Sequence, residues 1–496
     1  MSNNKLPIRT KLFWGLGGLA EGVKTSVFNA FVLFYYNQIL GVSATYTGIA
    51  LAIAVLFDAI SDPVTGSLSD KLNSRWGRRH PFMAASALPF GLTLFLLFVP
   101  PQGMSEVFYF GWVMVFAIAV RTFMTLYYIP HLAMGPEIAT DYEDRSALFS
   151  FGLFFGALGA YSFYFVMLST VFAPSPDLPN GLYRAEGYSQ MSMTAGIVVC
   201  CAILLCAWGT RDQIPKLLLR SKDSDPEDSR SVITESFSPQ RLFIELKTAF
   251  SSPSYRSIFL GLMLGTTVVA VETVLNAFMG IHFWGLETDQ LRWIGIGVIV
   301  GLVPGTIVGA FLVKVLDKKW CLILPAALTT INLNVLIVLR LIGVLPEDYP
   351  NILQLLVIQS CIAGITAPVV FITINSMFAD ISDELELMTG KRQEGIIYSA
   401  RAFALKAANA LGTVVGGLAL DAIAFPKKAL PGSVDPDVIW NLGLVQGPLT
   451  SLVSFAGLLL YMGYRLSRRK HEEIVQALAE RRSQSSEYRQ GPENRV

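Results

Sequence analysis

Charge is what this chain has least of. Asp, Glu, Lys and Arg make up 15% of its 496 residues, against about 25% in soluble domains, so much of the surface it builds must face something other than water. The two signs nearly cancel, leaving a net charge of +1, and with so little excess nothing draws the chain to nucleic acid or marks an acidic tail. The five cysteines, Cys200, Cys201, Cys206, Cys321 and Cys361, all sit in apolar runs without C-x-x-C spacing. They are expected as buried free thiols, with neither a zinc site nor a secreted disulfide framework. Four histidines give no metal-binding cluster, and neither H-E-x-x-H nor G-x-S-x-G occurs. The sequence is therefore not read as an enzyme and calls for no cofactor beyond a coupling ion.

What the chain does have is apolar length: 53% of its residues are hydrophobic. A membrane-crossing helix needs roughly 20 such residues in a row. Twelve stretches qualify, at about 12–39, 46–69, 82–100, 107–133, 147–172, 189–209, 256–285, 293–314, 321–345, 351–378, 396–424 and 442–465. The basic start "MSNNKLPIRTKLFW" leads into a run too long for a signal peptide and reads as a retained first helix. Placing both termini in the cytoplasm puts Lys5, Arg9, Lys11, Lys71, Arg75, Arg78, Arg79, Arg145, Lys314, Lys318, Lys319, Lys391, Arg392 and the "RLSRRK" tail inside. Only Arg184, Arg292, Lys427 and Lys428 then fall outside, as the positive-inside rule requires. A multi-pass protein of the cytoplasmic membrane is expected, as a monomer.

Residues 1–209 and 256–465 form two six-helix halves in this reading. A polar linker at 210–255, with a helix expected at "PQRLFIELKTAF", joins them, and 466–496 is a cytoplasmic tail, a short amphipathic piece followed by a disordered end. "GSLSDK" from Gly66 is echoed by "GAFLVKVLDKK" from Gly309. Corresponding signals six helices apart suggest a duplicated unit, as in many secondary transporters.

Against this background the second stretch is unusual, because "LFDAISDPVTGSLSDKLNSRWGRRHP" places Asp58 and Asp62 in an apolar helix at i and i+4. Both carboxylates share one face. A charge at mid-helix costs about 2.5–3.5 kcal/mol on insertion scales, so a function must retain them. Two facing acids with Ser61 beside them offer the oxygens that a hard cation needs, and Na⁺ or H⁺ are the candidates. Lys406, deep in "ARAFALKAANALG", is the compensating positive charge. Asp70, Arg75, Arg78 and Arg79 can form a network at the inner surface, holding one conformation closed as a gate. Glu21 and Lys24 are placed to pair with each other, and Arg121, Thr125, Glu272, Asn276 and Arg401 are further cavity candidates. Tyr127, Tyr128 and Phe154 would give the cavity an aromatic wall, while Trp14, His131 and Trp284 are expected as interface anchors near helix ends.

These residues resemble a family. "FDAISDPVTGSLSDKLNSRWGRRHPF", "MFADISDELELMTGKRQEGIIYSARAFALKAANALG" and "YYIPHLAMGPEIATDYEDR" look like the signatures of the glycoside–pentoside–hexuronide:cation symporters, the melibiose-permease group of the major facilitator superfamily. The resemblance spans both halves. It implies an all-α major facilitator fold, twelve membrane helices in two bundles, and symport of an organic solute with a cation by alternating access. Carried over, the family's cation site falls on Asp58, Asp62, Ser61 and Thr125, and its coupling lysine on Lys406. The family's sugar contacts do not carry over: the helix-one aspartate falls on Gly22, the helix-four aspartate on Tyr128 and the helix-five arginine at or near Gly152. A sugar or glycoside is the expected solute. A vertebrate branch of the same family carries lysophospholipids, which keeps an amphipathic solute as the alternative. A non-transporting sensor on the same fold would need an output domain that the tail does not supply.

Overall fold

The computed structural model describes residues 5–72, 74–139, 141–215, 217, 249–390 and 394–489. Most of the linker, with its expected helix at 239–250 up to residue 248, and Lys391 and Arg392 lie outside the described residues. Apolar runs of membrane-spanning length leave the backbone no water to bond with, so each run closes its own hydrogen bonds as a helix. Among the described residues twelve main helices follow in chain order, ten of them long and apolar enough to cross a membrane. They are α1 (Ile8–Val27), α2 (Ala44–Lys71), α3 (His80–Leu96), α4 (Glu106–Ile138), α5 (Tyr142–Ser169), α6 (Ala185–Gly209), α7 (Pro253–Phe278), α8 (Thr288–Val315), α9 (Lys318–Leu341), α10 (Ile352–Thr389), α11 (Glu394–Ala422) and α12 (Pro436–Leu444 with Thr450–Tyr461). Among the described residues the only β pairing is an isolated bridge between Ser175 and Leu178. All twelve expected stretches are present as helices.

Two segments differ from expectation. α10 runs past its apolar stretch to Thr389, because its polar continuation is held by partners instead of ending the helix. Lys318 reaches Asp380 at 2.7 Å and His471 reaches Asp383 at 3.0 Å. Gly390, at φ +72°, then caps it in the left-handed conformation. The tail, expected as a short amphipathic piece before a disordered end, is a longer helix, α13 (Arg468–Arg489). Its Ile474 and Leu478 are buried in one apolar cluster with Leu385 of α10, which a polar average conceals.

The halves repeat a backbone device. α1 loosens into π-helical turns at Phe28–Val32 and Tyr35–Leu40, and α7, six helices later, does so at Met279–Phe283. π-Bulges often mark working regions of a helix. The two halves meet chiefly where α2 runs against α11. A Cβ at Gly417 would lie 2.4 Å from the Ala44 carbonyl, and Ala52 and Val55 pack on Ala410. Further along the same pair, Lys406 reaches Asp62. At the face opposite the termini the seam is polar. The Asp421 carboxylate accepts from the Thr45 amide at 3.0 Å and from the Ser43 hydroxyl, Lys427 pairs with Glu106 at 2.9 Å, and Thr288 donates to Asn180 at 2.7 Å.

Candidate functional site

α2 carries Asp58 and Asp62 on one face, and Pro63, just after them, is tolerated because neighbouring helices surround the turn it disturbs. Each acid is met by a cation from another helix. Arg121 of α4 donates to Asp58 Oδ2 at 2.6 Å, while Lys406 of α11, in the other half, donates to Asp62 Oδ2. The remaining oxygen of Asp62 accepts from Thr125 at 2.8 Å. Asp58 Oδ1 and the Ser61 hydroxyl are buried without a hydrogen-bond partner among the described residues. An unpartnered buried oxygen is costly, and in a carboxylate it is a ready ligand. Among the described residues no group of three or more His, Cys, Asp or Glu is gathered to hold a metal. Two carboxylates with hydroxyls beside them suit a monovalent ion.

These groups open on a cavity of about 460 Å³, also lined by Glu21, Lys24, Thr25, Phe28, Asn29, Tyr128 and Asn409. Glu21 pairs with Lys24 at 2.9 Å, as their spacing predicts, and accepts from Thr25 at 3.1 Å. Ser61 is absent from this wall. Of the four expected cation ligands the cavity therefore presents Asp58, Asp62 and Thr125.

Other expected cavity residues are placed elsewhere. Gly22 is a contact glycine: a Cβ there would lie 2.0 Å from the Gly156 carbonyl of α5. An acidic side chain could not stand at that position, and its neighbour Glu21 supplies the carboxylate on this part of α1. Gly152 is taken up similarly, with Trp14 packed where its side chain would begin. Glu272 and Arg401 line a separate cavity of about 350 Å³ inside the second half, together with Thr329 and Thr330. Asn276 lines a third, between α1, α5, α7 and α8. Leu405 borders both the central cavity and that of Glu272.

Of the expected aromatic wall only Tyr128 lines the central cavity; Tyr127 is fully buried and Phe154 is 61% exposed on the bundle's outer surface. Trp14 and His131 are buried, not interfacial. Their rings stack with centroids 4.4 Å apart, and the indole N–H donates to the His131 carbonyl. Trp284 is likewise buried. Of the five free thiols, Cys206 and Cys321 are buried as expected, but Cys201 is exposed, because on a membrane helix an apolar side chain can face lipid.

The basic cluster after α2 converges on an acid that sequence reasoning passed over. Arg79 pairs with Asp70 at 2.6 Å and with Glu137 at 2.8 Å, and Arg78 reaches the same Glu137 at 3.2 Å. Arg75 is exposed on the loop beside them. Glu137 stood in "GPEI", downstream of α4's apolar run, and its signal was that a helix end so rich in nearby arginines needs an acceptor. The second half answers with Lys318 on Asp380, where the Tyr464 hydroxyl also donates at 3.3 Å. Burial, and then the Asp380 carboxylate, push that phenol above its usual range, so it stays a donor.

The family model described as "MFS/sugar transport protein" matches residues 13–468. An uncharacterized symporter of Synechocystis sp. is 25% identical, covering 97% of this chain and 98% of that protein. The sodium-dependent lysophosphatidylcholine symporter 1-B of Danio rerio is 20% identical over 97% of this chain and 91% of that one. Among solved structures, the inward open conformation of the xylose transporter XylE from E. coli superposes with a TM-score of 0.59. That match covers 94% of this chain and 98% of the other at 16% identity, and it speaks to the fold alone.

Proposed function

The chain belongs to the MFS/sugar transport protein family, a family of transporters and not of enzymes, and from that premise we propose that it is a Na⁺-coupled symporter of an organic solute. The observation that carries this reading is the pair of carboxylates one helical turn apart, each neutralised by a side-chain cation from a different helix. A coupling ion entering between Asp58 and Asp62 competes with Arg121 and Lys406 for the same oxygens. Lys406 comes from the opposite half, so its release from Asp62 loosens the contact between the bundles at the level of the site. Ion binding thereby acts on the equilibrium between conformations, which requires a difference in affinity between the states. With both termini in the cytoplasm, the polar seam of Asp421, Glu106 and Thr288 is on the outer side, and the cavity faces inward. Arg78 and Arg79, held by Asp70 and Glu137 within the first half, are then the inner-side gate elements in their parted state.

The solute we propose is a sugar or glycoside, which the family's description supports. An amphipathic solute is the second reading, favoured by the cavity of Glu272 and Arg401. Its wall is otherwise mainly apolar and shares Leu405 with the central cavity, so a tail could lie across that residue from a polar head. The test is uptake into proteoliposomes of a sugar panel and a lysophospholipid panel, under a Na⁺ gradient and under a K⁺ gradient. Accumulation that needs the Na⁺ gradient supports the reading. Uptake indifferent to Na⁺ would refute the choice of ion, and a H⁺ gradient run in parallel would show whether protons replace it.

A further inference from the structure

We propose that the solute carries one net negative charge and that Arg121 receives its anionic group. The proposal rests on the symport reading above and deepens it. The charged residues that line the central cavity form three closed pairs: Glu21 with Lys24, Asp58 with Arg121, and Asp62 with Lys406. Three carboxylates and three cations leave the cavity neutral. A coupling cation entering alone adds a positive charge among partly buried groups, and such a charge left uncompensated is costly. A neutral solute does nothing to offset it, whereas a monoanion entering with the cation restores balance.

Arg121 is placed to make that contact. When the cation takes the Asp58 oxygens, the guanidinium loses its partner while remaining on the cavity wall. Its Nε is already buried without a hydrogen bond among the described residues, and its one ion pair uses a single terminal nitrogen. A planar guanidinium with spare donors suits a carboxylate, sulfate or phosphate oxygen pair. The Phe28 ring lies 5.4 Å from its carbon, which keeps the group at the wall.

The test compares matched probes on the full-length purified protein: glucose with glucuronate, phenyl β-glucoside with phenyl β-glucuronide, and lysophosphatidylcholine with lysophosphatidylglycerol. Binding is read by thermal shift, with and without Na⁺. In at least one pair the anionic member should bind roughly ten-fold or more tightly than its partner, and only with Na⁺, the scale of one charge-assisted hydrogen bond. Arg121→Gln should erase that preference, and Arg121→Lys should restore part of it. Neutral or zwitterionic members that bind as well as their anionic partners, or no anionic member binding with Na⁺, would overturn the proposal. A protein whose stability shows no response to Na⁺, with or without any probe, would instead remove the symport reading beneath it.

Discussion

Gly22 and Lys406 show how differently single residues can matter on these helices. A methyl group at position 22 would press on the Gly156 carbonyl at 2.0 Å, and forcing such an atom into a packed contact costs about 1–3 kcal/mol. Gly22→Ala should therefore lower the thermal midpoint. Gly111→Ala, in a helix interior with open space around it, should leave the midpoint unchanged or raise it. Equal midpoints for the two variants would show that α1 and α5 are not in close contact. Lys406 donates to Asp62, and on the mechanism we propose it competes there with the ion, so Lys406→Gln should bind Na⁺ more tightly in the absence of solute yet fail to accumulate solute. A Na⁺ titration followed by uptake checks both halves of that expectation. The pairing of Lys406 with an acid was legible in the sequence, because a lysine so deep in an apolar run must find one. The role of Gly22 was not, since nothing in α1 itself reveals how near α5 approaches.

At the scale of elements, apolar length alone placed the twelve helices, while polar residues hid the end of α10 and the length of the tail helix α13. α10 and α13 extend through charged residues because those side chains pair with each other and with Lys318 of α9, a fact that hydropathy along one strand of sequence cannot register. The charge on Lys406 pointed to α2 meeting α11 at the acids, but the far end of that contact was not foreseen. Asp421, at the far end of α11, accepts from the Thr45 amide and the Ser43 hydroxyl at the start of α2, so one half caps a helix of the other. Losing such a cap typically costs about 1 kcal/mol, enough to shift a two-state population roughly five-fold. Asp421→Ala should accordingly favour the outward-open state. A cysteine at Asn29, in a background without native cysteines, should then react faster with an impermeant thiol reagent added outside. An unchanged rate would mean the cap does not hold the outer side shut.

Across the whole molecule, the duplication suggested by the glycine-led echoes at Gly66 and Gly309 extends to the charge networks beyond them. The basic loop after α2 meets Glu137 at the end of α4, and the basic turn after α8 meets Asp380 near the end of α10. The acids were present in the sequence, but their partners depend on how helices two places apart are brought together. The pairs described for Arg79 lie in the first half and those for Lys318 in the second. Distant, independent sites add to within about 0.5 kcal/mol. Arg79→Ala and Lys318→Ala should each destabilise, and the double variant should equal their sum. A clear departure from additivity would show the two networks acting as one.

The measurement closest to the central claim is equilibrium binding of radioactive sodium to the purified wild-type protein and to Asp58→Asn. The wild type should bind Na⁺ saturably. The variant should lose that binding while keeping its helical content and monodispersity, since asparagine retains the shape but not the charge that opposes the ion. Wild-type affinity in the folded variant would contradict the account, and the acids of α2 would not be where the coupling ion sits.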